Sequence, residues 1–481
     1  MIQPAKLVFL AVFAGASLMA HAAEGEDKSR FSDQPAPLDL STFPERPAPL
    51  LEIGDKFLGK GNLQRGFTLP TGAVWSPNLW VFGTFRSAIQ TFDRGSSRAI
   101  SPQPNTTTTE WANRLDIFGN LQLSPTERVV LGFRPLDETR LKTGTRFAGY
   151  NIEPNDRTTR GGVEAFSATP RTLFFEGEFG EIFPRLDQAD RLSLDYSFAV
   201  GRQPLTLQDG ILANDDSVDM ISITRNSLRV PGGSTMRISP FFAFDRIERP
   251  NFTTAANVRD HSAQIFGVDA AADFPVSTIQ ADLVYVPSSS DGDGLYAGIG
   301  AVQRIGKINT TFRANTSIAL EKPGPKVGNG TLLFTELSYT VPWGTDLIYL
   351  NGFWAIDHFT SAVRDTTAGG PLGRVGILNA AVGLGRYGAP LSNQADNAVG
   401  GALGYQMFFG ELRRRQVILE IGGRAPTEDP QFARQRAAEG IGVRYQQSFG
   451  RRFVLVLDAF GVNRDLVSPS YGGRMELLVK F

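Results

Sequence analysis

Cysteine is absent from this 481-residue sequence, and histidine occurs only three times. Without cysteine the chain forms no disulfide bond, thiolate metal site or covalent haem attachment, and it carries no lipid anchor on an N-terminal cysteine. His21 lies in a predicted leader, so His261 and His358 are the histidines left for the rest of the chain. Two histidines so far apart do not predict a multi-histidine metal centre. We therefore expect neither a metal nor a cofactor.

An excess of charge of one sign is also absent. The 48 Lys and Arg residues are balanced by 49 Asp and Glu residues, which gives a formal net charge of −1. A protein that binds nucleic acid needs a basic surface to neutralise phosphates. The balance therefore argues against a nucleic-acid partner.

Long apolar runs are missing after the leader, where no segment approaches the ~20 residues of a membrane-spanning helix. Residues 1–23 are typical of a secretory signal peptide. Lys6 supplies a positive charge, residues 7–19 are apolar, and Ala20 and Ala22 are the small residues before a cleavage site. An exported chain without a spanning helix is soluble in the periplasm, secreted or a β-barrel.

Residues 24–75 differ in composition from the rest of the mature chain. Five prolines fall between Pro35 and Pro49, and proline is a poor fit to helix and sheet interiors because it lacks a backbone donor. We interpret residues 24–75 as a Pro-rich periplasmic tail, with a plug that folds into the lumen as the alternative. Residues 76–481 then form the outer-membrane barrel.

Segments of about ten residues in the barrel region alternate apolar and polar side chains, which is the period of a β-strand. Near Trp111, Leu115 and Ile117 lie on one face, and Arg114 and Asp116 lie on the other. Such segments are long enough to cross a bilayer as tilted strands. Charged residues on the polar face suit a wet lumen rather than a sandwich core. The same alternation is found in 191–202, 277–286 and 441–449.

Short and long connections alternate between these segments. The pattern predicts an all-β fold, a single transmembrane antiparallel β-barrel with short periplasmic turns and long extracellular loops. We expect about 18 strands, within a range of about 16 to 20, because an even count returns both termini to the periplasm. The short connections include 124–127, 274–276, 305–307, 342–345 and 449–452. The long ones include 91–110, 136–170, 246–261, 357–374, 424–437 and 463–473.

One region does not fit this alternation. Val375–Gly385 would have to run in the same direction as Ala398–Phe409 if both were wall strands. Removing Val375–Gly385 from the wall resolves the conflict and leaves a long excursion, residues 357–397. We expect this excursion to be able to fold into the pore.

The C-terminus is an amphipathic strand that ends in an aromatic residue. Met475, Leu477 and Phe481 lie on one face, and Arg474 and Glu476 lie on the other. This ending resembles that of outer-membrane proteins in general. The resemblance implies that the outer-membrane assembly machinery recognises Phe481.

The charged residues of the polar faces are the candidates for lining a pore. Both signs are present, so the expected lumen is mixed, and rings of charge set the selectivity of pores. The alternative for each residue is a cross-strand pair that only stiffens the wall. The candidates are Arg114, Asp116, Glu176, Glu178, Asp195, Arg202, Arg237, Asp282, Arg313, Glu336, Glu420, Arg444 and Asp458.

A more specific pattern lies between two predicted strands. Gly201-Arg202-Gln203 ends one strand, Asp209-Gly210 follows, and Asp219 begins the next. This arrangement resembles the Gly-Arg-Gln and Asp-Gly pattern of alginate-export-type porins, which implies a single-chain barrel that passes polyanions or small solutes. Polymer-exporting members line the pore with excess Arg and Lys, whereas many Asp and Glu are expected here. From the residues alone, Arg202 pairs with Asp209 or Asp219.

The sequence thus predicts a bacterial outer-membrane porin that passes small polar or charged solutes through a charged lumen. The alternative is a scaffold barrel that sheathes a periplasmic partner, such as an electron-carrier complex or a polymer-export machine. An enzyme is not expected, since His261 between Asp260 and Ser262 is the nearest approach to a catalytic group. The sequence does not give the solute, the direction of transport or the oligomeric state.

Overall fold

The computed structural model of the chain describes most of the residues after the leader. The predicted signal peptide, residues 1–23, and most of the Pro-rich segment lie outside the described residues. The described ranges are 47–55, 66–93, 107–136, 146–150, 161–163, 166–186, 194–252, 256–410, 412–428 and 436–481.

Eighteen antiparallel strands form one closed barrel. Each strand pairs with the next along the chain, and the last pairs with the first from Thr84 opposite Lys480 to Asp93 opposite Tyr471. The predicted fold class is therefore confirmed. The wall strands are β1 Asn78–Asp93, β2 Thr107–Gln122, β3 Arg128–Phe133, β4 Pro170–Glu178, β5 Tyr196–Leu207, β6 Ala213–Leu228, β7 Thr235–Asp245, β8 Ile265–Asp273, β9 Ser277–Val286, β10 Gly294–Ile305, β11 Ile308–Ala319, β12 Gly330–Thr340, β13 Leu347–His358, β14 Asp396–Phe409, β15 Arg415–Pro426, β16 Ala438–Phe449, β17 Phe453–Arg464 and β18 Val467–Lys480.

Side-chain alternation explains why these segments form the wall. On β18, Met475 and Leu477 are 50% and 40% exposed, whereas Arg474 and Glu476 are buried. A strand presents successive side chains to opposite faces, so the exposed apolar residues mark the outer face and the charged ones mark the lumen. The other strands follow the same rule through their register with β18.

The two ends of the barrel differ in their connections. At one end the strands are joined by short turns, such as 274–276, 306–307 and 450–452. Two glycines in these turns, Gly306 and Gly450, have positive φ angles, which glycine adopts without a steric penalty. The opposite end carries the long loops, including 246–264 and 359–395.

The prediction of a long loop at residues 463–473 is wrong. β17 continues to Arg464 and β18 begins at Val467, so only Asp465 and Leu466 form the turn. Leu466 has a φ of +62°, a conformation typical of tight hairpin turns. The polar residues of this region belong to strand ends rather than to a loop.

The excursion between β13 and β14 folds into the barrel, as expected. Val375–Gly385 forms no wall strand, which confirms its removal from the count. Leu372, Val375, Leu378 and Leu384 are completely or almost completely buried. An apolar core therefore lies inside the lumen, built from this loop and the wall behind it. We call residues 359–395 the inward loop.

The described parts of the Pro-rich segment are held at the short-turn rim. Leu51–Ile53 pairs with Leu79–Val81 at the start of β1. A small hairpin, Phe67–Thr68 with Val74–Trp75, lies near the turn after β4, where Arg185 donates to the Pro70 carbonyl oxygen over 2.8 Å. Helix is scarce, and no helix within the described ranges has both the length and the apolar content needed to cross a bilayer.

Candidate pore and its constriction

A first series of ion pairs lies on the inner faces of β2 and β6. Arg114 binds Asp116 over 2.7 Å, and Arg134 binds the same carboxylate over 2.8 Å. Arg134 also forms a salt bridge with Asp216 over 2.9 Å. Arg171 forms a second salt bridge with Asp216. The predicted candidates Arg114 and Asp116 thus lie in one network, although Arg134, Arg171 and Asp216 were not predicted.

A second series of ion pairs crosses four neighbouring strands of the wall. Arg86 on β1 binds Glu476 on β18 over 2.5 Å, and Glu476 also binds Arg474. Arg474 and Arg444 converge on Asp458 of β17, the latter over 2.6 Å. Charges therefore alternate around this side of the lumen, and the predicted Arg444 and Asp458 form a direct pair.

A third series of polar contacts lies on the inner faces of β7 to β11. Arg237 binds Asp269 over 2.7 Å. Gln208, from the turn between β5 and β6, donates to Asp282 over 2.6 Å and accepts from Arg313 over 3.2 Å. The next residue of that turn, Asp209, also pairs with Arg313. The predicted Asp282 and Arg313 are thus brought together by an inward turn that sequence reasoning did not anticipate.

Two wall glycines explain how this turn can lie so deep in the lumen. A Cβ atom at Gly298 or at Gly300 would lie 2.7 or 2.8 Å from Gln208 side-chain atoms. Carbon atoms do not approach so closely without a shift of one of them. A residue with a Cβ atom at either position would therefore displace the Gln208 side chain from its place between Asp282 and Arg313.

The remaining candidates do not all join the network. Glu336 binds Arg374 of the inward loop over 3.2 Å, and Glu420 is contacted by the same loop. Arg128 and Glu176 pair with each other over 2.5 Å nearer the short-turn end. Glu178 ends β4 at that rim, and Asp195 there pairs with Arg225 over 3.2 Å.

Arg202 lies on the outer face rather than in the lumen. It shares its face with Val200, which is 41% exposed, and it pairs with Asp219 over 2.8 Å. The ion pair expected with Asp219 is present, but the expectation that Arg202 lines the pore is not supported. Alternation continues past Gly201, since Gln203 and Leu205 are buried whereas Pro204 is exposed.

Charged wall residues hold the inward loop by its backbone carbonyl groups. Arg86 donates to the Val382 oxygen over 3.1 Å, and Arg114 donates to the Gly383 oxygen over 3.4 Å. Arg424 donates to the carbonyl oxygens of residues 392 and 394 over 3.5 and 3.2 Å. Guanidinium groups offer several donors in a fixed geometry, so one arginine can serve both a wall partner and the loop.

Wall carboxylates and an amide hold the same loop by complementary groups. Glu420 accepts from the backbone N–H groups of Ile377 and Leu378, each over 2.8 Å. Glu110 accepts from the N–H group of Arg386 over 2.5 Å. Gln90 donates to the Leu384 oxygen over 3.1 Å. A buried backbone group without a partner costs free energy, so these contacts satisfy a loop that has little secondary structure.

The two inward segments are joined to each other. Ala362 donates its N–H to the Leu212 oxygen over 2.8 Å, and Arg364 donates to the Gly210 oxygen over 2.6 Å. Arg364 is fully buried, and burial lowers its pKa to about 10. Its other acceptors are the Gly369 and Gly370 oxygens and the Ser361 hydroxyl. The inward loop and the 208–212 turn therefore form one hydrogen-bonded unit, which is the constriction of the lumen.

The base of the inward loop is closed by a side-chain pair. His358 ends β13, Asp396 begins β14, and the two residues are opposite each other in register. The Nδ1 atom of His358 is hydrogen-bonded to the Asp396 carboxylate. The ring of His358 also stacks on Phe252 with centroids 5.1 Å apart.

A cluster of three carboxylates lies beside Arg171. Asp215, Asp216 and Asp365 have carboxylate oxygens within 4.8 Å of one another, but Arg171 binds both Asp216 and Asp365. This arrangement is an ion-pair cluster whose negative charge is already compensated by a cation. No metal is assigned to it.

The Asp-His-Ser segment at 260–262 is not arranged as a catalytic group. Asp260 accepts from the Ser262 and Ser288 hydroxyls over 3.0 and 2.7 Å. Burial alone would raise the pKa of Asp260, but hydrogen bonds from Ser288, Ser262 and Arg249 together lower it well below its usual range. Ser262 therefore donates to a weakly basic carboxylate rather than to His261.

Comparison with known proteins supports the fold. No protein-family model matches the sequence, and no curated protein sequence matches it. A BenF-like porin from Pseudomonas fluorescens Pf-5 has a TM-score of 0.54 at 10% identity, covering 84% of this chain and 98% of that chain.

Two further solved structures are similar to the same extent. OccAB3 of Acinetobacter baumannii has a TM-score of 0.52 at 10% identity, covering 83% of this chain and 99% of that chain. OpdK of Pseudomonas aeruginosa with vanillate has a TM-score of 0.50 at 11% identity, covering 83% and 98%. At these identities the similarity establishes the fold, a porin-type barrel.

Proposed function

We propose that this barrel is an outer-membrane porin that passes small polar or charged solutes. The observation that carries the proposal is a closed 18-strand wall whose lumen is lined by charges and narrowed by the inward loop. A barrel of this size is too wide to be filled by wall side chains. The inward loop narrows the lumen, and the paired charges around the opening suit water and polar solutes.

The charges at the constriction indicate the chemical character of the solute. Asp209, Asp216, Arg237 and Arg374 are each between 44% and 49% exposed in their side chains, so both signs face the aqueous path. Such a path favours small solutes that carry a charge or several hydrogen-bonding groups. Vanillate, which the similarly folded OpdK was solved with, is a suitable first solute for transport measurements.

A scaffold that sheathes a partner is not favoured. The inward loop and the 208–212 turn already lie in the lumen and are tied to the wall by hydrogen bonds. Polymer export is not favoured either, since Arg202, the central residue of the alginate-export-type pattern, lies on the outer face. An enzymatic role has no support from the 260–262 segment.

The environment of the barrel follows from the same proposal. Exposed apolar residues cover its outer face, as contact with outer-membrane lipid requires. Phe481 continues the outward alternation of β18, and its backbone N–H group binds the Gly83 oxygen over 3.1 Å. We propose that the assembly machinery reads this terminal residue before β1 and β18 close.

Single-channel recording in a planar bilayer tests the proposal. The refolded wild-type protein should give discrete conductance steps, and the reversal potential in a salt gradient should show weak ion selectivity. A variant with residues 366–390 replaced by a short Gly-Ser linker should conduct several-fold more current because the constriction is removed. Vanillate added to one side should reduce the wild-type current while it occupies the pore.

The control is deletion of residues 321–323, which lie exposed in the loop between β11 and β12. It shortens a loop at the same end without touching the inward loop, so its conductance should equal that of wild type. Heat-dependent migration in gels verifies that each variant is folded. Folded wild type and folded linker variant that both fail to conduct would overturn the porin proposal.

A further inference from the structure

Basic residues are concentrated at one part of the short-turn rim. Arg413, Arg414 and Arg415 lie in and just after the turn between β14 and β15, and Arg452 lies in the turn between β16 and β17. The two turns are neighbours, since the Ser448 N–H group donates to the Arg414 oxygen over 2.9 Å. We call these four arginines the basic rim patch.

The charge of this patch is not compensated by the described part of the protein. None of the four arginines forms a salt bridge with a described residue, in contrast to Arg86 or Arg474 in the lumen. The guanidinium of Arg413 lies 6.0 Å from the Phe408 ring centroid, and Arg452 donates to the Ala48 carbonyl oxygen over 3.4 Å. Neither contact neutralises a charge.

Arg415 faces the bilayer side of the barrel. Arg415 is on the outward alternation of β15, with Val417 and Leu419 next to it, and Leu419 is 48% exposed. In register it lies between Phe409 of β14 and Gln447 of β16. Arginine on the lipid face of a barrel is costly at the bilayer midplane and tolerated near its edge, so Arg415 marks the headgroup level.

Exposed aromatic residues define the same level. Phe409, Phe449 and Phe453 lie at strand ends beside the patch, and each is 43% to 45% exposed. Aromatic residues at strand ends form the girdles that lie where hydrocarbon meets headgroups. Arg415 is level with Phe409, and Arg413 and Arg414 follow in the turn beyond it, at the level where lipid phosphates are found.

The rest of the rim differs in charge. The connection between β4 and β5 carries Glu181 and Asp195, with Glu178 at the end of β4. Basic residues elsewhere at this end, such as Arg229 and Lys307, lie in separate turns. A cluster of unpaired cations at one arc is therefore not a general property of the short-turn end.

We propose that the basic rim patch binds the phosphate groups of anionic phospholipids in the leaflet at the short-turn end. Arginine pairs with phosphate through two parallel hydrogen bonds. Each basic residue near an anionic surface strengthens binding about fivefold. The inference goes beyond solute passage and depends only on insertion of the barrel in a membrane.

Native mass spectrometry of the purified full-length mature barrel tests this site. The protein is extracted in detergent and mixed with phosphatidylglycerol or phosphatidylcholine of the same acyl chains. Wild type should retain phosphatidylglycerol at least about tenfold more than phosphatidylcholine. The variant Arg413→Gln, Arg414→Gln, Arg415→Gln should lose this preference while still showing heat-dependent migration.

The matched control removes three exposed cations elsewhere on the rim, as Arg229→Gln, Arg304→Gln, Lys307→Gln, and should retain the wild-type preference. Equal retention of both lipids by wild type would overturn the proposal, as would loss of preference in the control as large as in the patch variant. Competition by inorganic phosphate that removes the lipid adducts would indicate a free-phosphate site and overturn the lipid assignment. Because no current is measured, these outcomes are independent of the porin proposal.

Discussion

Two parts of the inner wall use the same kinds of residue differently. The tethering wall, formed by β15–β18, β1 and β2, directs Glu420, Arg86 and Arg114 at backbone groups of the inward loop. The open wall, formed by β3, β4, β7 and β8, carries the pairs Arg128–Glu176 and Arg237–Asp269. Among the described residues, these four side chains bind no part of the inward loop.

The difference shows that charge on an inner face does not by itself identify a pore-lining residue. On the tethering wall, the charged groups replace the water that loop backbone groups would otherwise bind, and so they fix the constriction. On the open wall, charged groups satisfy each other and stay partly exposed. The first set should therefore control conductance and stability, and the second should control selectivity.

The largest effect is expected from Glu420→Gln. The carboxylate accepts two loop N–H groups and the Tyr349 hydroxyl, and an amide supplies only one acceptor oxygen. We expect a loss of about 1–3 kcal/mol in unfolding free energy and larger, noisier channel currents. The equivalent change on the open wall, Glu176→Gln, should leave both thermal unfolding and current noise near wild type, and equal effects of the two would break the comparison.

Arg364→Met should have the next largest effect. The substitution removes the guanidinium donors to the Gly210, Gly369 and Gly370 oxygens. The Gly369 oxygen keeps only the Asn257 side-chain donor at 3.4 Å, and a buried charge is also removed. We expect a net loss of about 1–2 kcal/mol. In proteolysis of the folded barrel, cleavage in residues 366–383 should become faster, and unchanged cleavage would show that Arg364 does not hold the two inward segments together.

Acidification should weaken the same region through Asp365. Burial alone would raise the pKa of Asp365, but the Arg171 charge and hydrogen bonds from Thr367 lower it below its usual range. A carboxyl with a lowered folded-state pKa stabilises the protein above its unfolded pKa of about 3.9, and this contribution is lost as pH falls through the folded pKa. The stability difference between wild type and Asp365→Asn should therefore shrink below about pH 4, and a constant difference would contradict the assignment.

The smallest effect on stability, and the clearest on selectivity, is expected from Arg237→Gln on the open wall. The side chain is 49% exposed, so the pair with Asp269 contributes at most about 1 kcal/mol. Loss of one positive charge beside the aqueous path should shift the reversal potential toward cation selectivity. Arg225→Gln, at the rim beside Asp195, is the matched control and should leave the reversal potential unchanged.

The wall could be predicted because its physical signal repeats along the chain. Ser277–Val286 was predicted with its observed bounds, since alternation needs no knowledge of distant residues. The conflict of direction at Val375–Gly385 also revealed the inward loop, because barrel strands must alternate in direction. Both inferences used constraints that act on the whole chain.

The partners of the inward loop could not be predicted in this way. Arg134 and Arg364 lie outside wall strands, so no periodic pattern marks them. Each also has an acceptor far away in the chain, Asp216 for Arg134 and the Gly210 oxygen for Arg364. The sequence marked Asp209-Gly210 only as part of a pattern, and the depth of the 208–212 turn was not predicted because Gly298 and Gly300, which lie against Gln208, are far away in the chain. Arg202 was expected in the lumen because of its charge, although alternation from Val200 places it on the outer face.

The tethers also divide the inward loop into short spans whose ends are fixed. Its base is closed by the His358–Asp396 pair, and further fixed points follow at residues 364, 377–378, 382–386 and 390–394. Lengthening a span between fixed points costs little, about 0.6 kcal/mol for each doubling of its length. Insertions and substitutions could therefore accumulate between neighbouring tethers while the wall sequence is preserved, so that one barrel could acquire openings of different shape.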